Sequence, residues 1–215
     1  MMKLLVLGFF VFFGGCSFSK KPNDWQYKSA QNFSKYQHDF FTGNDFLAKN
    51  ELKVAQKYAK RSSNLTTLAR VYLGECALNI SVGISKKCTK YEKIAKLVNS
   101  KELQAYNAML MGKISTQEIT FLDDNYQDFM KSLKDKKYKS AQKILFSMSR
   151  DSTIFVTAGL MKEHLDDASR QKLVKLASYN GYKKLVLFWL NEEKKYTKDE
   201  VKQNKIMLTI KILQE

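Results

Sequence analysis

From Asp24 to the end of the chain, apolar residues recur at spacings of three, four and seven, the repeat of one face of an amphipathic helix. Trp25, Phe33, Tyr36, Phe40 and Phe41 mark the first such face. Thr42-Gly43-Asn44-Asp45 predicts a turn with Asp45 as the next N-cap. Leu47, Leu52, Ala55, Tyr58 and Ala59 carry the second helix, and Asn64 opens a third through Leu65, Leu68, Ala69, Tyr72, Leu73, Cys76, Ala77 and Ile80. A loop containing Gly83 precedes a fourth element with Tyr91, Ile94, Ala95 and Val98. Leu103, Tyr106 and Leu110 form a short helix closed by Gly112.

Ser115-Thr116-Gln117-Glu118 has capping-box spacing, and the stripe Ile119, Leu122, Tyr126, Phe129, Leu133 follows it. Tyr138, Ala141, Ile144, Leu145 and Met148 form the next face. Ile154, Phe155, Val156 and Thr157 favour extended backbone, but the continuation Ala158-Gly159-Leu160-Met161 predicts a buried helix. Asp166 or Asp167 caps a helix that Gly181 breaks, and Leu185, Leu187, Phe188 and Leu190 lie on the following one. Thr197-Lys198-Asp199-Glu200 reads as a second capping box ahead of Val201, Met207, Ile210 and Leu213. The pattern therefore predicts an all-α chain of about ten short helices paired as antiparallel hairpins. Gly112 separates two helical stretches, residues 24–112 and 113–215. One proline and nine glycines leave few breakers for a turn-rich β architecture.

The first sixteen residues differ from all this. Lys3 is followed by an uncharged apolar run, residues 4–13, and then by Gly14, Gly15 and Cys16. The run is too short for the roughly 20 residues of a membrane span. It resembles the signal peptide of a bacterial lipoprotein, with Phe13 where that family usually has leucine. The resemblance implies export, removal of residues 1–15, a lipid on Cys16, and a polar tether over residues 16–23. It places the protein in the cell envelope facing the periplasm, with Ser17 rather than aspartate favouring the outer membrane over the inner. The residues also fit an ordinary secretory signal, which would leave Cys16 as a thiol.

Export bears on the two other cysteines. With Cys16 taken by lipid, Cys76 and Cys88 form an even pair in an oxidising compartment, where a disulfide is the expectation. Two buried free thiols are the alternative. The bond would clamp the end of the third helix to the start of the fourth.

The net charge is +16, but Arg61, Arg70, Arg150 and Arg170 are the only arginines. Base and phosphate readers favour arginine's planar fork, so the lysine excess reads as solvated helix faces and argues against nucleic acid as the partner. Such a surface is still drawn to anionic polymers: cell-wall glycan, lipopolysaccharide or DNA.

The paired helices resemble tetratricopeptide-type solenoids at Gly43 with Phe46 and at Tyr138-Lys139-Ser140-Ala141. Leu176-Ala177-Ser178-Tyr179-Asn180-Gly181, with Leu185 and Trp189-Leu190, resembles a Sel1-like or ankyrin-like unit. A period of about 34 residues does not persist.

Candidate chemistry is sparse. His38 and His164 are the only histidines, and their neighbours suggest surface or cap positions. Asp123-Asp124 and Asp166-Asp167 read as helix caps, and Glu192-Glu193 as solvated charge beside Lys194-Lys195. No nucleotide, hydrolase or metalloprotease motif occurs, and no histidine accompanies the cysteine pair to complete a metal shell. The expectation is a non-enzymatic, lipid-anchored helical scaffold without cofactor or metal, held to the membrane by its lipid and binding another envelope protein.

Overall fold

The computed structural model describes residues 23–84 and 87–215, and every described element is helical. Cys16 and the signal-like segment lie outside the described residues. The order is α1 (Asp24–Thr42), α2 (Asp45–Ala59), α3 (Thr66–Ser81), α4 (Thr89–Glu92), a 3-10 turn (Ala95–Leu97) and α5 (Lys101–Leu110). Then follow α6 (Thr116–Ile119), α7 (Asp124–Lys134), α8 (Tyr138–Leu145), α9 (Asp151–Leu160) and a second 3-10 turn (Lys162–His164). The last three are α10 (Asp167–Tyr179), α11 (Lys183–Tyr196) and α12 (Glu200–Gln214).

Adjacent helices pack as hairpins: α1 with α2, α7 with α8, α10 with α11, and α11 with α12. Between α1 and α2 the small residues Ala48, Ala55 and Ala59 are buried, which lets the backbones approach. There Ser29 Oγ donates to the Ala55 carbonyl at 2.9 Å. Three hairpins turn through one device. Gly43, Gly181 and Lys136 all adopt left-handed backbone, with φ of 92°, 67° and 56°. The next residue donates back to the carbonyl five positions earlier, as in Lys137 to Ser132 at 2.9 Å and Tyr182 to Ala177 at 2.9 Å. This is the Schellman closure, which usually takes glycine.

Helices α3 and α9 are built differently. Their apolar residues surround the helix instead of forming a stripe, and Leu73, Ala77, Leu78, Phe155, Val156 and Ala158 are at most 1% exposed. A helix apolar on all sides belongs in a core. The two pack against each other, α5 also covers α3, and α1 meets α11. Gly159 makes the α3–α9 approach possible, since a Cβ there would sit 2.5 Å from the Ile80 carbonyl oxygen. Similarly, a Cβ at Gly74 would lie 2.3 Å from the tip of the Phe33 ring. One buried cluster consequently contains residues from both sides of Gly112.

Cys76, on α3, is bonded to Cys88, the residue before α4, with their Cα atoms 5.3 Å apart. Both are buried, and the bond ties the two elements, as expected of the even cysteine pair.

Several boundaries differ from the sequence reading. Asn44, not Asp45, is the N-cap of α2. The capping box at Ser115 forms, with Glu118 accepting from the Ser115 N–H at 2.7 Å. The one expected at Thr197 does not. Asp199, two residues nearer the helix, is the N-cap of α12 and accepts from the Lys202 N–H at 3.1 Å, in keeping with the stronger N-cap preference of aspartate over threonine. The stripe from Ile119 to Leu133 is divided by a turn between α6 and α7. Leu47, Val201 and Met207, expected on buried faces, are 51%, 80% and 52% exposed. Trp25 is half-buried. Among the described residues, no helix is long and apolar enough to cross a membrane.

Candidate functional site

Two turns far apart in sequence meet at one end of the molecule. The α1–α2 turn supplies Phe40, Phe41, Asp45, Phe46 and Leu47, and the α10–α11 turn supplies Tyr179, Asn180, Tyr182 and Lys184. Lys184 forms an ion pair with Asp45, and its ammonium lies 4.2 Å from the Phe40 ring centroid. Tyr182 packs its ring 5.1 Å from Phe41 and 6.3 Å from His38. Burial pushes the Tyr182 hydroxyl above its ordinary pKa, with the nearby Asp151 carboxylate adding to the effect. Asn180 Nδ2 donates to Asp151 at 2.9 Å and to the Leu176 carbonyl at 2.9 Å. These contacts fix the second turn to the start of α9.

On this braced base, three large side chains face solvent: Tyr179 at 89% exposed, Phe46 at 77% and Leu47 at 51%. Leaving them wet has a cost in apolar hydration, roughly 1.5–3 kcal/mol for a large side chain fully withdrawn from water. An open hollow on the outer side of α1, lined by Gln31, Ser34, Lys35, His38 and Asp39, adjoins the base. The arrangement offers aromatic anchors on a rigid support, the composition that carries most energy in protein interfaces.

The two histidines are set against different helices. His38 is exposed beside Tyr182, while His164 stacks on Tyr138 with centroids 3.9 Å apart. The carboxylates act as the sequence suggests. Asp123 accepts from the Asn125 N–H at 3.3 Å and Asp166 from the Ser169 N–H at 2.7 Å. The hydrogen bonds to Ser169 hold the Asp166 carboxyl below its ordinary pKa, against the opposing effect of burial. Asp167 pairs with Arg170 at 3.2 Å. No group of three or more His, Cys, Asp and Glu among the described residues is placed to hold a metal ion.

Glu192-Glu193 is the main correction at side-chain level, since neither is solvated surface. The Glu193 side chain is 6% exposed and pairs with Lys202 at 2.9 Å. Glu192, 12% exposed, lies 3.7 Å from Lys162. Arg170, 3% exposed, sits 3.9 Å over the Tyr196 ring and donates to the Lys162 carbonyl at 3.4 Å. This charged knot joins α10, α11 and α12 where their ends converge. The signal was present in the periodicity: Val186, Trp189, Leu190 and Glu193 follow an inward i, i+3, i+4, i+7 face.

Compared with protein-family models, curated proteins and solved structures, the chain has no match in any of the three.

Proposed function

We propose that this chain is a lipid-anchored, non-enzymatic scaffold of the cell envelope that docks another envelope protein. Cys16 would carry the lipid, residues 16–23 the tether, and the periplasmic side of the outer membrane is the favoured location. The observation that carries the docking reading is large side chains left exposed on two turns that the Asp45–Lys184 ion pair joins: Phe46 and Leu47 on one, Tyr179 on the other. The hairpins are the kind of unit that tetratricopeptide-like and Sel1-like arrays stack. In an open solenoid each repeat touches only its neighbours, so the α3–α9 and α1–α11 contacts point to a short array closed on itself.

A photo-crosslinking residue at Tyr179, introduced in cells, tests the docking reading. A discrete crosslinked protein is expected, and Phe46→Ser should abolish it without changing the unfolding midpoint. No discrete product, with the same residue equally silent at Phe46, counts against docking at this end. Replacing Cys16 with serine should release the protein from membranes and alter its mobility on a gel. Unchanged membrane association and mobility would refute lipidation.

A second reading has its own observation. Residues 131–143 hold six lysines against one acid, Asp135, around the turn where Lys136 adopts left-handed backbone. Such a hairpin suits an anionic polymer. Binding of that kind must weaken steeply with salt, and an affinity unaffected by salt excludes it.

A further inference from the structure

Helix α12 has two apolar faces and only one is used. Ile206 and Ile210, 6% and 8% exposed, point inward where α12 lies along α11. At about 100° per residue, Val201, Leu208 and Ile212 share the opposite side. They are 80%, 59% and 68% exposed. The same spacing puts the exposed Lys205 and Lys211 on the two sides of this strip, and exposed Lys198 precedes the helix. The acids nearby are largely committed, Asp199 to the helix cap and Glu193 to Lys202. Only Glu200 and Glu215, at the two ends of the helix, oppose the lysines.

We infer that α12 is a membrane-surface helix that lays this strip on an anionic lipid bilayer. A strip of aliphatic side chains rimmed by lysine matches the interfacial region, where the side chains enter the acyl boundary and ammonium groups reach the phosphates. Lysine stems lie along the apolar surface while their heads stay in the headgroup layer. A protein partner is the poorer match, because interface hot spots favour Trp, Tyr and Arg over Val and Leu. The strip has no aromatic residue, unlike the Phe46–Tyr179 end. A second copy is poorer still. One helical strip falls well short of the roughly 800 Å² per partner of a stable interface, and pairing would bring lysine rims together. The contact is independent of any lipid on Cys16 and of the docking reading.

The test is depth, measured residue by residue. In the full chain carrying Cys16→Ser, Leu208→Cys provides one free thiol for an environment-sensitive fluorophore, since Cys76 and Cys88 are bonded to each other. Gln117→Cys, exposed on α6 beside Glu118 and away from the lysine-rich 131–143 hairpin, provides the control site. With vesicles rich in phosphatidylglycerol, the label at 208 should shift to the blue and resist an aqueous quencher that reaches the label at 117 freely. High salt or phosphatidylcholine vesicles should remove that protection, and so should Ile212→Glu. Equal quenching at 208 and 117 overturns the inference. A label at 208 already protected before vesicles are added overturns it too, because the strip is then covered by a second copy or by the N-terminal segment. Protection as strong on phosphatidylcholine as on phosphatidylglycerol refutes the anionic requirement.

Discussion

Replacing Gly159 with alanine adds one methyl group at the closest approach of α3 and α9. The new carbon would stand 2.5 Å from the Ile80 oxygen and 3.1 Å from both the Ile80 carbonyl carbon and the Ser81 Cα. All three atoms are backbone, so no side-chain rotation relieves them. Ordinary contact requires the helices to part by roughly 1 Å, which forfeits a quarter to half of the dispersion attraction across the gap. In an exposed helix the same change would gain about 1 kcal/mol from helix propensity. Overpacking a rigid core costs about 1–3 kcal/mol or more, and the backbone clash puts this site at the upper end. The net expectation is a loss of about 2 kcal/mol, or roughly 4–8 °C in Tm for a chain of this size. Urea unfolding followed by circular dichroism should show a lower midpoint at an unchanged slope. Gly74→Ala is the internal comparison, because the atom it meets is the tip of Phe33, and Phe33→Leu should recover much of its loss. A Gly159→Ala protein as stable as the parent would show that α3 and α9 are not apposed in this way.

Replacing Cys76 and Cys88 together with alanine should cost about 3 kcal/mol in urea unfolding, the chain-entropy value for a loop of this length; a reducing agent should bring the parent close to the same midpoint. Lys136→Gly should raise stability by about 0.5–1 kcal/mol, because glycine adopts the left-handed turn without the Cβ penalty and loses only part of that gain to its unfolded-state entropy; a lower midpoint would contradict the turn geometry. Acid should destabilise the protein in part through Asp166 and Glu118. Hydrogen bonds, first of all to Ser169 and Ser115 respectively, lower their pKa values in the folded state. Their contribution is complete above the ordinary carboxylate range near pH 4 and is lost as pH falls through the lowered folded values. Asp166→Asn should therefore flatten the fall in urea midpoint below about pH 4, and an unchanged acid profile would exclude this role.

The helical pattern was legible where each helix presents one face. Phe33, Tyr36, Phe40 and Phe41 name the inner side of α1 correctly, and the even pair Cys76 and Cys88 anticipates the bond between α3 and α4. Periodicity could not pair α3 with α9. Both are apolar on all sides, so neither has a stripe that points to a partner, and the deciding contact is a missing side chain at Gly159. For α12 the difficulty was the reverse: two apolar faces fit one helix, and the sequence does not say which faces inward. Asp45 and Lys184 are far apart along the chain, so the aromatic end exists only after folding. Its parts, Phe46 and Tyr179, each resemble ordinary core residues when read locally. The carboxylate at Glu193 could have been found by continuing the Val186, Trp189, Leu190 face by one more turn.

The shared core also determines how the chain can be divided. A cut in the turn around Gly112 would separate α3 from α9 and α1 from α11, leaving each fragment with a bare apolar helix. Neither piece should remain in solution by itself, yet the two made together carry complementary surfaces and should reassemble without a covalent link. The turn at Gly112 is therefore a suitable place to split the chain for fragment complementation, with reassembly reporting directly on the α3–α9 contact.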